Sequence, residues 1–591
     1  MSYSAYALLV LLGALIYLLY TEKLHPAVSF FLVVSALVIL GVLTPQEALT
    51  GFSNEQIAVI ALLLIVSSII KKFEMTGLIF SKILGNELSY SKFLLKMMGT
   101  VSFLSAFLNN TPVVATFMPY VYQWGKKRGI PPSKLLIPLS YAAILGGTTT
   151  LIGTSTNLIV SALAVESGLK PLGLFDFFYA GFPAVLAGVL YMLLFGHRLL
   201  PYREDLISSF LKGKRDYLIE TNVPRFSPII GKTVLEAGLR NLKGLFLVEI
   251  IRGSERIAPV SPKDVIREGD ILIFAGDTNS IVELVKERGA LSLPEVCSFA
   301  LKNEKIEIVE ALIPVNSSLV GKKVRETDFR AKFDAAIIAI HRDGERLKGK
   351  IGEMVLKPGD LLLLLAGKDF WSRVKDSDDI YVVNKVDETL TVDSKRALIF
   401  LGLFLFSILL AAFGVFPLFK SLLILLAVVV LLKMATYGEI KKSIDLNIII
   451  MAAFSFAVGI AIAKTGLADF VAQELVGFAG VFGIVGALIS IYVITNILTE
   501  FVTNVAAATM VFPVALSVSK FYAAPPEIFI LTVAYGASAS FMTPIGYQTN
   551  LMVYGPGNYR FRDFLRVGFP LSLIFMLVII STLVLRTKGG F

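Results

Sequence analysis

Leu104-Ser-Ala-Phe-Leu-Asn-Asn-Thr-Pro112 returns 394 residues later as Leu498-Thr-Glu-Phe-Val-Thr-Asn504, and this echo decides the fold. With Asn110 set on Asn504, Leu104 falls on Leu498 and Phe107 on Phe501. Pro119 falls on Pro513, the Pro131-Pro132 pair on Pro525-Pro526 and Tyr141 on Tyr535, all without a gap. One residue of slippage later, Gly153-Thr-Ser-Thr-Asn157 meets Gly546-Tyr-Gln-Thr-Asn550. Further out, Thr76-Gly-Leu78 matches Thr465-Gly-Leu467, and Gly181-Phe-Pro183 matches Gly568-Phe-Pro570. The pattern predicts two copies of one membrane unit, with chemistry at their matched polar breaks.

Composition supports the membrane reading. Of 591 residues 55% are hydrophobic and 17% charged, where about a quarter charged is usual in soluble proteins. Apolar runs long enough to cross roughly 30 Å of hydrocarbon recur many times, which predicts a polytopic α-helical membrane protein. Polar interruptions at membrane depth do not weaken this, because irregular backbone is tolerated when buried in protein. One cysteine, Cys297, and three histidines (His25, His197, His341) supply neither a disulfide framework nor a zinc or iron–sulfur cluster. The net charge of +10 is spread over loops and the middle of the chain, so it reads as loop excess rather than a nucleic-acid surface. The first apolar run, Tyr6 to Tyr20, lacks a basic n-region and a cleavage site, and is expected to be a retained helix.

The N-terminal membrane repeat is placed at 1–201. Helices are expected at Ala5–Tyr20, Ala27–Val42 and Ile57–Ile70, then a broken region Phe93–Ser161, then Phe175–Leu200. The C-terminal repeat is placed at 395–591 with a similar rhythm. Each half has one run interrupted by Asn-Thr or Thr-Asn and another broken by glycines near 146–157 and 536–550. Paired interruptions of this kind point to a transporter site built from re-entrant hairpins and broken helices. Arg198, Arg203, Lys212, Lys214 and Arg215 precede the middle region and Lys395 and Arg396 follow it, whereas the loop 166–176 carries only Lys170 as a cation. By the positive-inside rule the middle region is expected in the cytoplasm, and the protein in the plasma or inner membrane. An odd number of crossings per half would make the repeats inverted.

The middle region is itself doubled, at 202–298 and 299–394. Gly231-Lys-Thr-Val234 recurs as Gly321-Lys-Lys-Val324, and Gly269-Asp270 as Gly359-Asp360, both 90 residues on. Short apolar strands are expected at Ile271–Gly276 and Leu361–Gly367, and hairpin-forming runs at Leu245–Arg252 and Ala335–Arg342. Two small α/β modules follow.

At the interrupted runs, Pro112 suits the first turn of a restarting helix. Unpaired N–H groups at such a restart favour an anion, and Asn and Thr oxygens with freed carbonyls suit sodium. Two facing tips would form a central site with alternating access; the alternative for any single Asn-Thr is interhelical hydrogen bonding. Glu500 has no acidic counterpart in the first copy, where Ala106 stands. At membrane depth it is a candidate coupling residue, as cation ligand or proton carrier, or else a partner of Lys464 or a loop-facing residue.

These residues resemble the divalent anion:sodium symporter family within the ion transporter superfamily, whose members carry Ser-Asn-Thr at each of two re-entrant tips. Here the tips read Asn109-Asn110-Thr111 and Thr503-Asn504-Val505. The resemblance implies a substrate site of Asn110, Thr111, Thr148, Thr503, Asn504, Tyr547 and Gln548. It implies sodium sites of Ser105, Asn110, Gly146, Gly147, Thr499, Asn504 and Gly546, with sodium the coupling ion and no cofactor. Val505 stands where the second threonine is expected, and Tyr547-Gln548-Thr549 where Thr-Pro-Pro is typical. A smaller oxyanion such as sulfate fits that asymmetric site better than a di- or tricarboxylate. The middle modules resemble the TrkA-C domain, which implies regulation or dimer contacts, with a nucleotide second messenger one candidate ligand and a homodimer the usual assembly. No G-x-G-x-x-G follows a strand.

The expected function is therefore sodium-coupled symport of a divalent oxyanion. Alternatives are a di- or tricarboxylate transporter on the same fold and a nutrient-sensing receptor without transport. A potassium channel is disfavoured, because Thr543-Pro-Ile-Gly-Tyr547 breaks the filter pattern at Pro544 and Gln548. No catalytic constellation is present to suggest an enzyme.

Overall fold

The computed structural model describes residues 3–21, 24–73, 84, 89–203, 218–239, 245–253, 255–257, 260–276, 307–315, 317–342, 345–347, 351–367, 369–374, 377, 379–383, 394–479 and 482–588. Thr76–Leu78, Lys212, Lys214, Arg215 and Cys297, used in the sequence reading, lie outside the described residues.

The N-terminal half contains α1 (Tyr3–Thr21), α2 (Pro26–Ile39), α3 (Pro45–Leu49), α4 (Glu55–Lys72), α5 (Tyr90–Ser105), α6 (Asn110–Lys127), α7 (Leu136–Gly147), α8 (Ser155–Glu166) and α9 (Phe178–Tyr191). The C-terminal half contains α10 (Ser394–Ala412), α11 (Leu418–Leu431), α12 (Tyr437–Ser443), α13 (Leu446–Lys464), α14 (Leu467–Ala479), α15 (Gly483–Phe501), α16 (Asn504–Phe521), α17 (Pro526–Ser538), α18 (Gln548–Tyr554) and α19 (Phe561–Lys588). Among the described residues seven helices are long and apolar enough to cross a membrane, or eight if the bent pair 45–53 and 55–70 is one span. The expected breaks fall between α5 and α6, α7 and α8, α15 and α16, and α17 and α18.

The sequence echo is also an echo of bonds. Ser102 donates its hydroxyl to the Ala142 carbonyl at 2.8 Å, and Asn496, its counterpart, donates to Gly536 at 3.4 Å. Asn157 Nδ2 reaches the carbonyls of Gly147 (3.4 Å) and Thr150 (2.8 Å), as Asn550 Nδ2 reaches those of Ser540 (2.9 Å) and Thr543 (3.1 Å). The first pair keeps the offset of 394 and the second an offset of 393. The slippage therefore lies between Ala142 and Gly147, at the end of α7, and α17 is one residue shorter in the matching stretch.

Small residues let the broken helices pack tightly. A Cβ on Gly181 would lie 2.7 Å from the Thr148 carbonyl oxygen, and one on its counterpart Gly568 only 2.0 Å from that of Phe541. The halves are tied reciprocally: the Tyr141 hydroxyl donates to the Phe541 carbonyl at 2.6 Å, and the Tyr535 hydroxyl to that of Phe177 at 2.5 Å. All four residues are buried. Buried hydroxyls without such partners would be costly, so each half completes the other.

The middle region holds β1 (Leu218–Asn222), β2 (Leu245–Arg252), β3 (Glu255–Ile257) and β4 (Ile271–Gly276) in one antiparallel sheet of order β1-β4-β2-β3. A second sheet, order β7-β6-β8-β5-β9, comprises β5 (Glu307–Leu312), β6 (Ala335–Arg342), β7 (Glu345–Arg346), β8 (Leu361–Ala366) and β9 (Tyr381–Val382). The 90-residue repeat is structural. Bulges occur at Leu247/Glu249 and Ile337/Ala339. Arg252 grips Asp270 at 2.8 Å, and Arg342 grips Asp360 at 2.7 Å. Each carboxylate also accepts a backbone N–H three residues earlier, from Arg267 or Lys357. Each module has its own apolar core.

Candidate functional site: a polar cluster between the two copies

Asn109 and Thr503 are the N-caps of α6 and α16, accepting backbone N–H bonds from Thr111 at 3.4 Å and Ala506 at 3.3 Å. Both helices thus restart at the expected tips, with their remaining first-turn N–H groups and partial positive charge at the break.

At the first tip Asn110 Nδ2 donates to the Tyr547 hydroxyl at 2.6 Å, and the Thr111 hydroxyl lies 3.0 Å from Gln548 Oε1. The Tyr547 hydroxyl is also 3.4 Å from Thr154 Oγ1. Thr154 and Tyr547 are counterparts in the two copies, so here the repeat meets itself. Sequence reasoning missed Thr154, although the offset of 393 marked it. A narrow cleft beside this cluster runs between α4 and the tip, lined by Ser67, Phe107, Asn109, Thr154 and Ser155 among others.

Gly147 sits directly under Asn110: a Cβ there would come within 2.7 Å of the amide oxygen. Gly146 faces Ser102, where a Cβ would lie 2.1 Å from the backbone oxygen. Both glycines therefore permit close approach rather than presenting side chains. Ser105 Oγ and Asn110 Oδ1 are buried and have no hydrogen-bond partner among the described residues. Buried polar atoms are ordinarily bonded, so two bare oxygens beside one tip suit a cation. At the second tip the corresponding Thr499 hydroxyl is 2.9 Å from Asn504 Oδ1 and 2.7 Å from the Ala537 carbonyl oxygen. Gly546 lies beside Ser540 and Glu500 and donates its N–H to Thr543 Oγ1 at 3.0 Å. Thr148 is buried, and its hydroxyl donates to the Leu145 carbonyl at 2.7 Å.

Glu500 is 2% exposed. Its carboxylate accepts the N–H groups of Met542 (2.8 Å) and Thr543 (2.9 Å) and the Ser540 hydroxyl (3.2 Å). In the first copy Thr149, the counterpart of Met542, donates its N–H to the Gly146 carbonyl inside the longer helix end. α17 stops earlier at this end, and there Glu500 accepts the N–H of Met542 instead. Lys464, considered as its partner, instead pairs with Glu47 at 2.9 Å.

The comparisons agree with this architecture. A family model described as citrate transporter (CitMHS) matches residues 16–534. A Chlamydomonas reinhardtii protein described as "Putative sulfur deprivation response regulator" is 34% identical, with 94% of this chain and 97% of that protein covered. An uncharacterized transporter of Synechocystis sp. is 32% identical, with 92% and 91% covered. Sodium/sulfate cotransporter 1 of Chlamydomonas reinhardtii is 24% identical, with 93% and 86% covered. Matched over most of its length, and built from membrane-spanning helices with paired breaks, the chain belongs to the citrate transporter (CitMHS) family of the ion transporter superfamily and is a multi-pass transporter rather than an enzyme.

Proposed function

We propose that this protein is a secondary transporter that couples sodium to the movement of a divalent oxyanion, with sulfate the first substrate to test. The observation that carries the reading is the meeting of Asn110, Thr111, Thr154, Tyr547 and Gln548 at the start of α6. Hydroxyls, amides and helix-start N–H groups are what a small oxyanion needs. Thr503 and Asn504 would complete the site from the second tip. Sodium would be held at Ser105 and Asn110 in the first copy and at Thr499 and Asn504 in the second, with Gly146, Gly147 and Gly546 leaving room. The name of the sodium/sulfate relative supports the same choice.

Two inserted modules on the cytoplasmic side, at 202–298 and 299–394, would regulate transport, with a nucleotide messenger one candidate ligand and a homodimer the expected assembly. The family description keeps citrate and other carboxylates as competing substrates. The description of the regulator relative favours, as a second reading, a sensor that reports sulfur supply without transporting it.

The deciding experiment is uptake of labelled sulfate into proteoliposomes under an inward sodium gradient, an inward proton gradient or none, with unlabelled thiosulfate and succinate as competitors. Sodium-driven uptake blocked by thiosulfate and not by succinate supports the proposal. Uptake of labelled citrate or succinate alone moves the substrate to carboxylates. No uptake of any of these leaves the sensor reading.

A further inference from the structure

The second inserted module touches the transporter body at the two helices that carry the polar cluster. Tyr122, on α6, donates its hydroxyl to Glu310 of β5 at 2.9 Å, and both side chains are 1% exposed. Twelve residues of helix separate Tyr122 from Asn110, or about 18 Å at 1.5 Å per residue. The Gly359 turn of the same module lies against α18 and its exit. A Cβ on Gly359 would come within 2.8 Å of Leu551, and one on Gly555 within 2.9 Å of the Gly359 carbonyl oxygen. Leu312 and Leu361 of this module are buried in the apolar core of the membrane helices rather than in the module's own.

At their other ends α6 and α18 meet again, through Asn110 with Tyr547 and Thr111 with Gln548. The two helices are therefore held together twice, at the polar cluster and at the module. The first module has the matching turn at Gly269, yet among the described residues nothing lies within 4 Å of a Cβ built there. The Gly359 turn, by contrast, is docked, and the hydroxyl-to-carboxylate bond accompanies it.

We propose that the second module is a clamp that sets the spacing of α6 and α18, and through it whether Asn110 and Tyr547 stay bonded or part. Ligands or partners that shift the module would then loosen or hold that bond. The claim rests on the reading of the cluster as the anion site.

The test uses the full chain in proteoliposomes. Tyr122→Phe removes only the hydroxyl, and Glu310→Gln only the charge. A hydrogen bond to a charged group contributes roughly a factor of ten, so each variant is expected to raise KM for the transported anion by up to about that factor. The maximal rate is expected to stay within about two-fold. The double variant is expected to be no worse than Tyr122→Phe alone, because without the hydroxyl no bond remains for the charge of Glu310 to strengthen. An unchanged KM, or losses that multiply, overturns the clamp. If Tyr122→Phe does not fold, Glu310→Gln carries the same measurement.

A second readout needs no substrate. In a Cys297→Ser chain, Ser155→Cys places a thiol on the cleft beside Thr154, and its labelling by N-ethylmaleimide is expected to quicken several-fold when Tyr122→Phe or Glu310→Gln is added. Unchanged labelling overturns the clamp even if the anion assignment holds. Absence of anion uptake by the wild type would sink the assignment alone, and the labelling would still judge the clamp.

Discussion

The Tyr547 hydroxyl lies 2.6 Å from the amide nitrogen of Asn110, across 437 residues of chain. The bond joins the restart of α6 to the break before α18, so it crosses from one copy to the other where the anion is proposed to bind. Tyr547→Phe keeps the ring and removes the acceptor. A bond of this kind contributes about 1 kcal/mol net, or roughly five-fold. Uptake measured against anion concentration is expected to show KM raised by about that factor; an unchanged KM would remove Tyr547 from the site.

Ser105 and Thr499 occupy matching positions but differ in what they bond. Ser105 Oγ has no partner among the described residues, whereas the Thr499 hydroxyl contacts Asn504 and Ala537. Ser105→Ala is expected to raise the half-saturating sodium concentration about ten-fold or more while melting in detergent is unaltered. Thr499→Ala is expected to lower the melting temperature as well. Sodium dependence untouched by Ser105→Ala contradicts the first cation site.

Glu500 holds the shortened end of α17 in place. Glu500→Gln turns one acceptor oxygen into a donor that faces a backbone N–H, and an unmet buried group costs about 1–3 kcal/mol. Lower thermal stability is expected, with the sodium-concentration dependence of any remaining uptake keeping its shape. Normal stability with altered sodium cooperativity would instead make Glu500 a coupling residue.

Acid sensitivity is expected in the second module at Asp379. Partial burial pushes its carboxyl upward, but bonds from Lys332 and from the Ser318 N–H and hydroxyl outweigh that and hold it below the ordinary 3.8. A folded value below the unfolded one stabilises the module above the unfolded value, and that contribution fades as pH falls through the folded value. Proteolytic nicking of the full chain at neutral pH is expected to be faster for Asp379→Asn than for wild type. The difference should shrink below about pH 4, where the unfolded carboxyl gains its proton. A gap of constant size down to pH 3 would rule out this linkage.

Much of the architecture was legible because duplication leaves a fixed offset. The offsets of 394 and 90 marked which stretches are copies. The structure then shows that Ser102 and Asn496 make matching bonds and that the Arg–Asp grips recur, though no bond was read from the sequence itself. Thr154 was within reach by the same arithmetic from Tyr547. The bonds of Glu500 were not, because they depend on a helix end one residue short, which shows only when both breaks are folded. Nor could sequence distinguish the Gly359 turn from the Gly269 turn. Both read Gly-Asp before an apolar strand, and only the arrangement of the whole chain brings one of them against Leu551.

The reciprocal tyrosines set a schedule for biosynthesis. Tyr141 finds its acceptor at Phe541, 400 residues downstream. At about 5–20 residues per second a ribosome needs roughly 20–80 s to make that stretch. For that interval the first half waits in the bilayer with its hydroxyl unsatisfied by its final partner and the surface that will receive the second half uncovered. A nascent chain stalled in the inserted modules is thus the species most in need of a membrane chaperone.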